Sequence, residues 1–177
     1  MGMDVYGRNP KINPNSVCPD EIDWKSSSNE EKEAYSQAYN KYESENPGIY
    51  FRANVWSWRP IHELTAKLCD DYLEQTDEVL IDEETLWGMS FNDGAGPTSS
   101  KACIILADLF SSWMEQNIEG YRLNDKGISV ISGTGKFASK EQEEDPEIET
   151  ESPYNVHDEH LKLWVEFLRN CGGFQVC

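Results

Sequence analysis

The stretch Phe51-Arg52-Ala53-Asn54-Val55-Trp56-Ser57-Trp58-Arg59-Pro60 concentrates side chains that could bind something. Aromatic faces supply contact area and attract cations, and guanidinium groups supply directional donors. If the stretch is extended, alternate residues face opposite ways, so Arg52, Asn54, Trp56 and Trp58 share one face while Val55 is buried on the other. Asp4, Tyr6, Arg59, Asn92 and Asp93 complete a polar and aromatic set that could close a small-ligand pocket around Arg52 and Trp58. A structural reading competes with it, in which Trp56 and Trp58 are core and Arg52 and Arg59 pair with acids.

Two other places invite chemistry. Asn92 to Pro97 holds two glycines between an expected strand and a helix N-terminus, where free backbone N–H groups can hold an anion, and Lys101 follows closely. The segment lacks the spacing of a phosphate loop and Asp93 would repel a phosphate, so a turn with a helix cap fits it better. His157 and His160 stand three apart beside Asp158 and Glu159, but no third ligand follows at metal-binding spacing. His62 next to Glu63 has no nucleophile motif around it. These residues assemble no catalytic set, and they call for no metal and no cofactor.

Charge is the stronger signal. Fifteen Lys and Arg stand against 33 Asp and Glu, a net charge of −18. Such a chain repels phosphate backbones and anionic membranes, and it attracts basic protein surfaces over about 8–10 Å at physiological salt. Two segments add much of the acid. Glu30, Glu31 and Glu33 lie in the first, and Glu141, Glu143, Glu144, Asp145, Glu147 and Glu149 in the second. In the functional reading each carboxylate stands where a phosphate would, and the surface occupies the nucleic-acid channel of a basic protein. In the competing reading a charge run is a solvated face that confers solubility.

The elements that must position these groups follow from periodicity. At 177 residues, 38% hydrophobic and 11% aromatic, the chain can build one real core. Met3 and Val5 alternate with polar neighbours as a short strand. Ser28 and Glu31 form a capping box opening a helix with an aromatic stripe at Tyr35, Ala38, Tyr39 and Tyr42, ended by Pro47-Gly48. Ile49 to Trp58 reads as a strand, followed by a helix starting at Pro60 with Ile61, Leu64, Leu68 and Tyr72 inward. Leu86 to Phe91 reads as another strand, Ser99 to Asn117 as the most apolar helix, and Ile128 to Ile131 as a short strand. Leu161, Trp164, Val165 and Leu168 mark a last helix ended by Gly172-Gly173. Residues 140–153 are too acidic to pack and read as a solvated loop.

The expected fold is therefore one α+β domain spanning residues 1–177, with three or four helices on a small mixed or antiparallel sheet. Its expected core is Trp56, Leu64, Leu68, Leu106, Leu109, Trp113, Trp164 and Leu168. Five cysteines without a C-x-x-C pair suggest a reducing cytosol, with Cys69 and Cys103 as small core residues. The N-terminus carries no secretory or myristoylation pattern, and no apolar run approaches the ~20 residues of a membrane span.

Four blocks together resemble a group of small, uncharacterised bacterial and phage proteins that open with G-M-D-V-Y-G. They are Met1 to Gly7, Phe51 to Pro60, Asn92-Asp93-Gly94 and Phe167 to Phe174. The resemblance implies a shared fold and a phage or bacterial origin, and it supplies no activity. Two departures stand out: Ser57 separates two tryptophans that such proteins often run together, and residues 18–47 look like an insertion before the second block. Charge and resemblance lead to one expectation, an acidic phage-type inhibitor in the cytoplasm of a bacterial host. It would block a basic nucleic-acid-handling host protein, in the manner of an anti-CRISPR or other anti-defence protein. A small-ligand or enzymatic pocket at Arg52 and Trp58 is the alternative, as is an immunity or antitoxin protein against a basic toxin.

Overall fold

The computed structural model describes residues 2–116, 121–124, 127–130 and 154–177. The expected acidic loop 140–153, with Glu141, Glu143, Glu144, Asp145, Glu147 and Glu149, lies outside the described residues.

A three-stranded antiparallel sheet forms the frame, with β1 (Gly2–Gly7) between β2 (Tyr50–Asn54) and β6 (Phe174–Val176). The register pairs Met3 with Ala53, Asp4 with Arg52, Val5 with both Phe51 and Val176, and Tyr6 with Tyr50. Because side chains alternate, Met3, Val5, Phe51 and Ala53 turn to the core while Asp4, Tyr6, Tyr50 and Arg52 share the outer face. The expected mixed-or-antiparallel sheet is thus antiparallel. A second small antiparallel sheet has the order β4 (Gly127–Val130), β3 (Tyr121–Asn124), β5 (Asn155–Val156). It contains the expected strand near Ile128.

Five helices are described, one more than the upper expectation: α1 (Asn29–Glu45), α2 (Val55–Thr76), α3 (Glu83–Gly88), α4 (Ser100–Gln116) and α5 (Asp158–Asn170). The core lies between the inner sheet face and α2, α4 and α5. At its centre Trp164 is fully buried, 5.0 Å from Phe51, 5.5 Å from Phe167 and 5.3 Å from Phe174, ring centre to ring centre. Burial of each such side chain contributes roughly 1.5–3 kcal/mol. Leu64, Leu68, Leu106, Trp164 and Leu168 are buried as expected, and Cys69 and Cys103 are core thiols. Leu109 and Trp113 are only partly buried. Trp56 is 47% exposed and does not belong to the core.

That displacement of Trp56 has a local cause. The strand expected to run to Trp58 ends at Asn54, whose side chain accepts a hydrogen bond from Ser57 N at 2.9 Å and so starts α2 at Val55 instead of Pro60. Helical geometry then spreads residues 55–58 around a cylinder. Val55 is exposed instead of buried, Trp56 stays at the surface, and Trp58 turns inward with 3% exposure. Pro60 sits inside the helix, giving up one N–H bond while its ring is buried.

The strand expected over Leu86 to Phe91 is α3 and the turn after it. Asp82 caps the helix through Thr85 N and Thr85 Oγ1, both at 2.8 Å, and Glu83 and Glu84 in the first turn suit the helix dipole. In α1 the expected capping box is present, Ser28 N donating to Glu31 at 2.7 Å and Glu31 N to Ser28 Oγ at 3.2 Å. Its aromatic stripe does not face the core. No residue of α1 is buried, and the rings pack on one another, Trp24 edge-on to Tyr35 at 5.7 Å and Tyr35 stacked on Tyr39 at 5.8 Å.

The first, second and fourth sequence blocks supply β1, most of β2 and the start of β6, and Gly94 of the third bonds to Val176 of β6. A Cβ on Gly7 would stand 2.0 Å from Gly48 O, so the two chains approach as closely as backbone allows. Gly172 adopts φ +63° as α5 ends, against Asn9.

Candidate functional site

The expected pocket residues divide among three places. Across the β1–β2 ladder the Asp4 carboxylate accepts a short hydrogen bond from the Tyr50 hydroxyl and lies 3.9 Å from the Arg52 guanidinium. Tyr6 tilts against Tyr50 at 5.2 Å. Burial, the hydrogen bond to Asp4 and the negative charge of Asp4 together push the Tyr50 hydroxyl well above the ordinary tyrosine range, so it remains a donor. Tyr6 is raised by burial and by Asp4.

At the end of β2 the chain opens into a cleft of about 740 Å³ lined by Arg52, Asn54, Trp56, Ser57, Val156, His157 and His160. Three of the expected residues meet here, joined by the start of α5, which brings in two histidines that the sequence placed elsewhere. Trp56 packs on Tyr154 at 5.1 Å, and the Arg59 guanidinium lies 4.7 Å over the same ring. His160 rests on Phe51 at 4.9 Å, and its Nε2 is shut off from water with no hydrogen-bond partner among the described residues. Burial, with the neighbouring His157, lowers its pKa below the usual histidine value.

The other expected residues do not join. Trp58 is core, its Nε1 donating to Met89 O at 3.0 Å. Asn92 donates to Gly2 O at 3.4 Å, and Asp93 accepts from Ala95 N at 3.1 Å. The loop they occupy runs beside β6, with Gly94 N donating to Val176 O at 2.8 Å and Val176 N to Ala95 O at 2.8 Å. The N–H groups of Gly94 and Ala95 are thus already bonded, and the loop serves the sheet edge instead of an anion. Of the structural pairing expected for the arginines, Arg52 has its acid while Arg59 has a ring. No group of three His, Cys, Asp or Glu among the described residues is placed to hold a metal ion.

Glu30, Glu31 and Glu33 are exposed on α1, Glu31 held by the capping box and Glu33 within 3.3 Å of Gln37 Nε2. A denser acidic face lies elsewhere. From residue 63 to residue 84 the chain carries Glu63, Asp70, Asp71, Glu74, Asp77, Glu78, Asp82, Glu83 and Glu84 against the single cation Lys67. That lysine is engaged, 2.7 Å from Asp71. Between α2 and α3 this face holds a groove of about 910 Å³ floored by Leu73, Val79, Ile81, Leu86 and Trp87. His62 Nε2 donates to Leu86 O at 2.7 Å and ties the two walls together.

Sequence periodicity does not reveal this groove. Leu73, Val79 and Trp87 lie off the buried stripe of α2 or beyond it, and nine acids around one lysine within 22 residues was the available signal.

Two of the buried thiols are held in the protonated form, while the hydrogen bond from Cys171 lowers Cys103 and Cys18 is exposed. Burial and the adjacent Asp70 raise Cys69 to about 12, and Cys171, hydrogen-bonded to Cys103 and buried, is raised as well. No helix among the described residues is long and apolar enough to cross a membrane. No family model matches the chain, and neither a curated protein nor a solved structure matches it.

Proposed function

We propose that this protein is an acidic binding protein that blocks a basic, nucleic-acid-handling host protein, as a phage-type inhibitor of a defence nuclease would. The observation that carries the reading is the acidic face of α2 and α3, with its one lysine already paired. Such a face raises the encounter rate with a cationic surface and competes for it with phosphate. The acidic segment 140–153 would extend the same charge. An immunity protein against a basic toxin would use identical electrostatics, and the identity of the captured partner separates the two.

The test is an affinity capture from bacterial lysate with purified protein as bait, at low and at raised salt, with captured proteins identified by mass spectrometry. A basic nuclease or nucleic-acid-binding complex retained at low salt and shed at high salt is the expected result. Replacing Glu141, Glu143, Glu144 and Glu147 by Lys should abolish its capture at an unchanged melting temperature. Retention of the same partner by that variant would overturn the inhibitor reading.

A second reading, a small-ligand site, is favoured by one observation: Arg52, Asn54 and Trp56 do share a cleft, with His157 and His160. Arg52→Ala should then abolish ligand binding with little loss of stability, because Arg52 is exposed.

A further inference from the structure

The groove between α2 and α3 is more than a charged surface. Val79 is 65% exposed, Trp87 69% and Leu73 40%, and Phe91 extends the patch, edge-on to Trp87 at 5.5 Å. Contiguous apolar side chains rimmed by polar ones mark protein interaction sites, since leaving them in water is unfavourable.

The rim fixes the chemistry of the occupant. Glu63, Asp70, Glu83 and Glu84 line the groove itself. A nucleic acid is repelled there. A second copy of the chain would set the same carboxylates against each other across an isologous contact. A solvated polycation without apolar groups would leave Val79 and Trp87 in water. Both walls are helical and present no strand edge for an added strand, so the fitting mode is a helix laid in a groove, with apolar anchors on one face and cations flanking them.

We propose that this groove docks a basic amphipathic helix of the partner protein, Leu-type anchors seated on Leu73, Val79 and Trp87 and Lys or Arg paired with the rim carboxylates. The proposal rests on the acidic binding-protein reading above and gives it a place and a partner motif.

Fluorescein-labelled synthetic peptides of about 15 residues test it by anisotropy against the full chain at low and raised salt. One carries Leu at i, i+3, i+4 and i+7 with Lys elsewhere, a second has the same composition scrambled to destroy the stripe, and a third replaces Lys by Glu. The striped basic peptide should bind about tenfold or more tightly than the scrambled one, and the acidic one should not bind. Trp87→Ala and Val79→Ser should each weaken the striped peptide about tenfold while the melting temperature holds, both residues being exposed.

Equal binding of striped and scrambled peptides, or wild-type binding by both variants, overturns the groove and leaves the acidic-surface reading standing. Failure of both basic peptides to bind at low salt overturns the two together.

Discussion

Trp56 and Trp58 stand two residues apart and meet opposite environments, one against Tyr154 at the surface and the other sealed beneath it with its N–H bonded to Met89 O. The residue types were legible in the sequence, but which tryptophan faced inward was decided by where the helix began. His160 gives a residue-scale prediction. Burial favours its neutral form, so its folded pKa lies below the unfolded value near 6.5. As pH falls through that value the unfolded chain takes up the proton first, and stability drains away until the lowered folded pKa is passed. The loss therefore falls on the acidic side of 6.5. Denaturation of the wild type between pH 7.5 and pH 5 should show an extra stability loss that His160→Phe lacks, with slopes compared so that packing changes cancel. Parallel slopes would mean that His160 is as easily protonated folded as unfolded.

The elements separate into those that build the core and one that does not. The alternation of Met3 and Val5 placed β1 correctly, and the apolar periodicity of α4 and α5 placed two helices of the core. Capping residues overruled the expected strands elsewhere, Asn54 at α2 and Asp82 at α3, because a side-chain oxygen that satisfies a free N–H outweighs a short β-favouring run. In α1 the capping box was readable and the burial was not, since an aromatic stripe looks the same whether it meets a core or its own neighbours. Ala38→Pro tests its independence. Proline costs a helix interior about 3 kcal/mol, which should melt α1. Helical ellipticity should fall while the main melting transition moves by less than about 2 °C. A larger shift would tie α1 to the core's cooperativity and argue against residues 18–47 being an appended insertion.

For the whole molecule, a net charge of −18 acts in two directions that salt separates. Self-repulsion destabilises the compact chain, so raising salt should increase its melting temperature, while capture of a basic partner should weaken over the same range. A melting temperature that does not respond to salt would show the carboxylates far enough apart to ignore one another. Acidity, the α+β class and the amphipathic helices were determined by the sequence alone, because composition and periodicity are local properties. The surface on which the charge is concentrated was not, because its acids are not a run of neighbours in the chain. On α2 and α3 the acids are interleaved with core residues and become a face only when the helices and their connection fold together. The same holds for the cleft at Arg52, where a strand end meets the start of a helix about 100 residues away in the chain. Only the tertiary structure decided that His157 and His160, and not Asn92 and Asp93, stand beside Arg52, since side chains distant in sequence meet only where core packing fixes their elements.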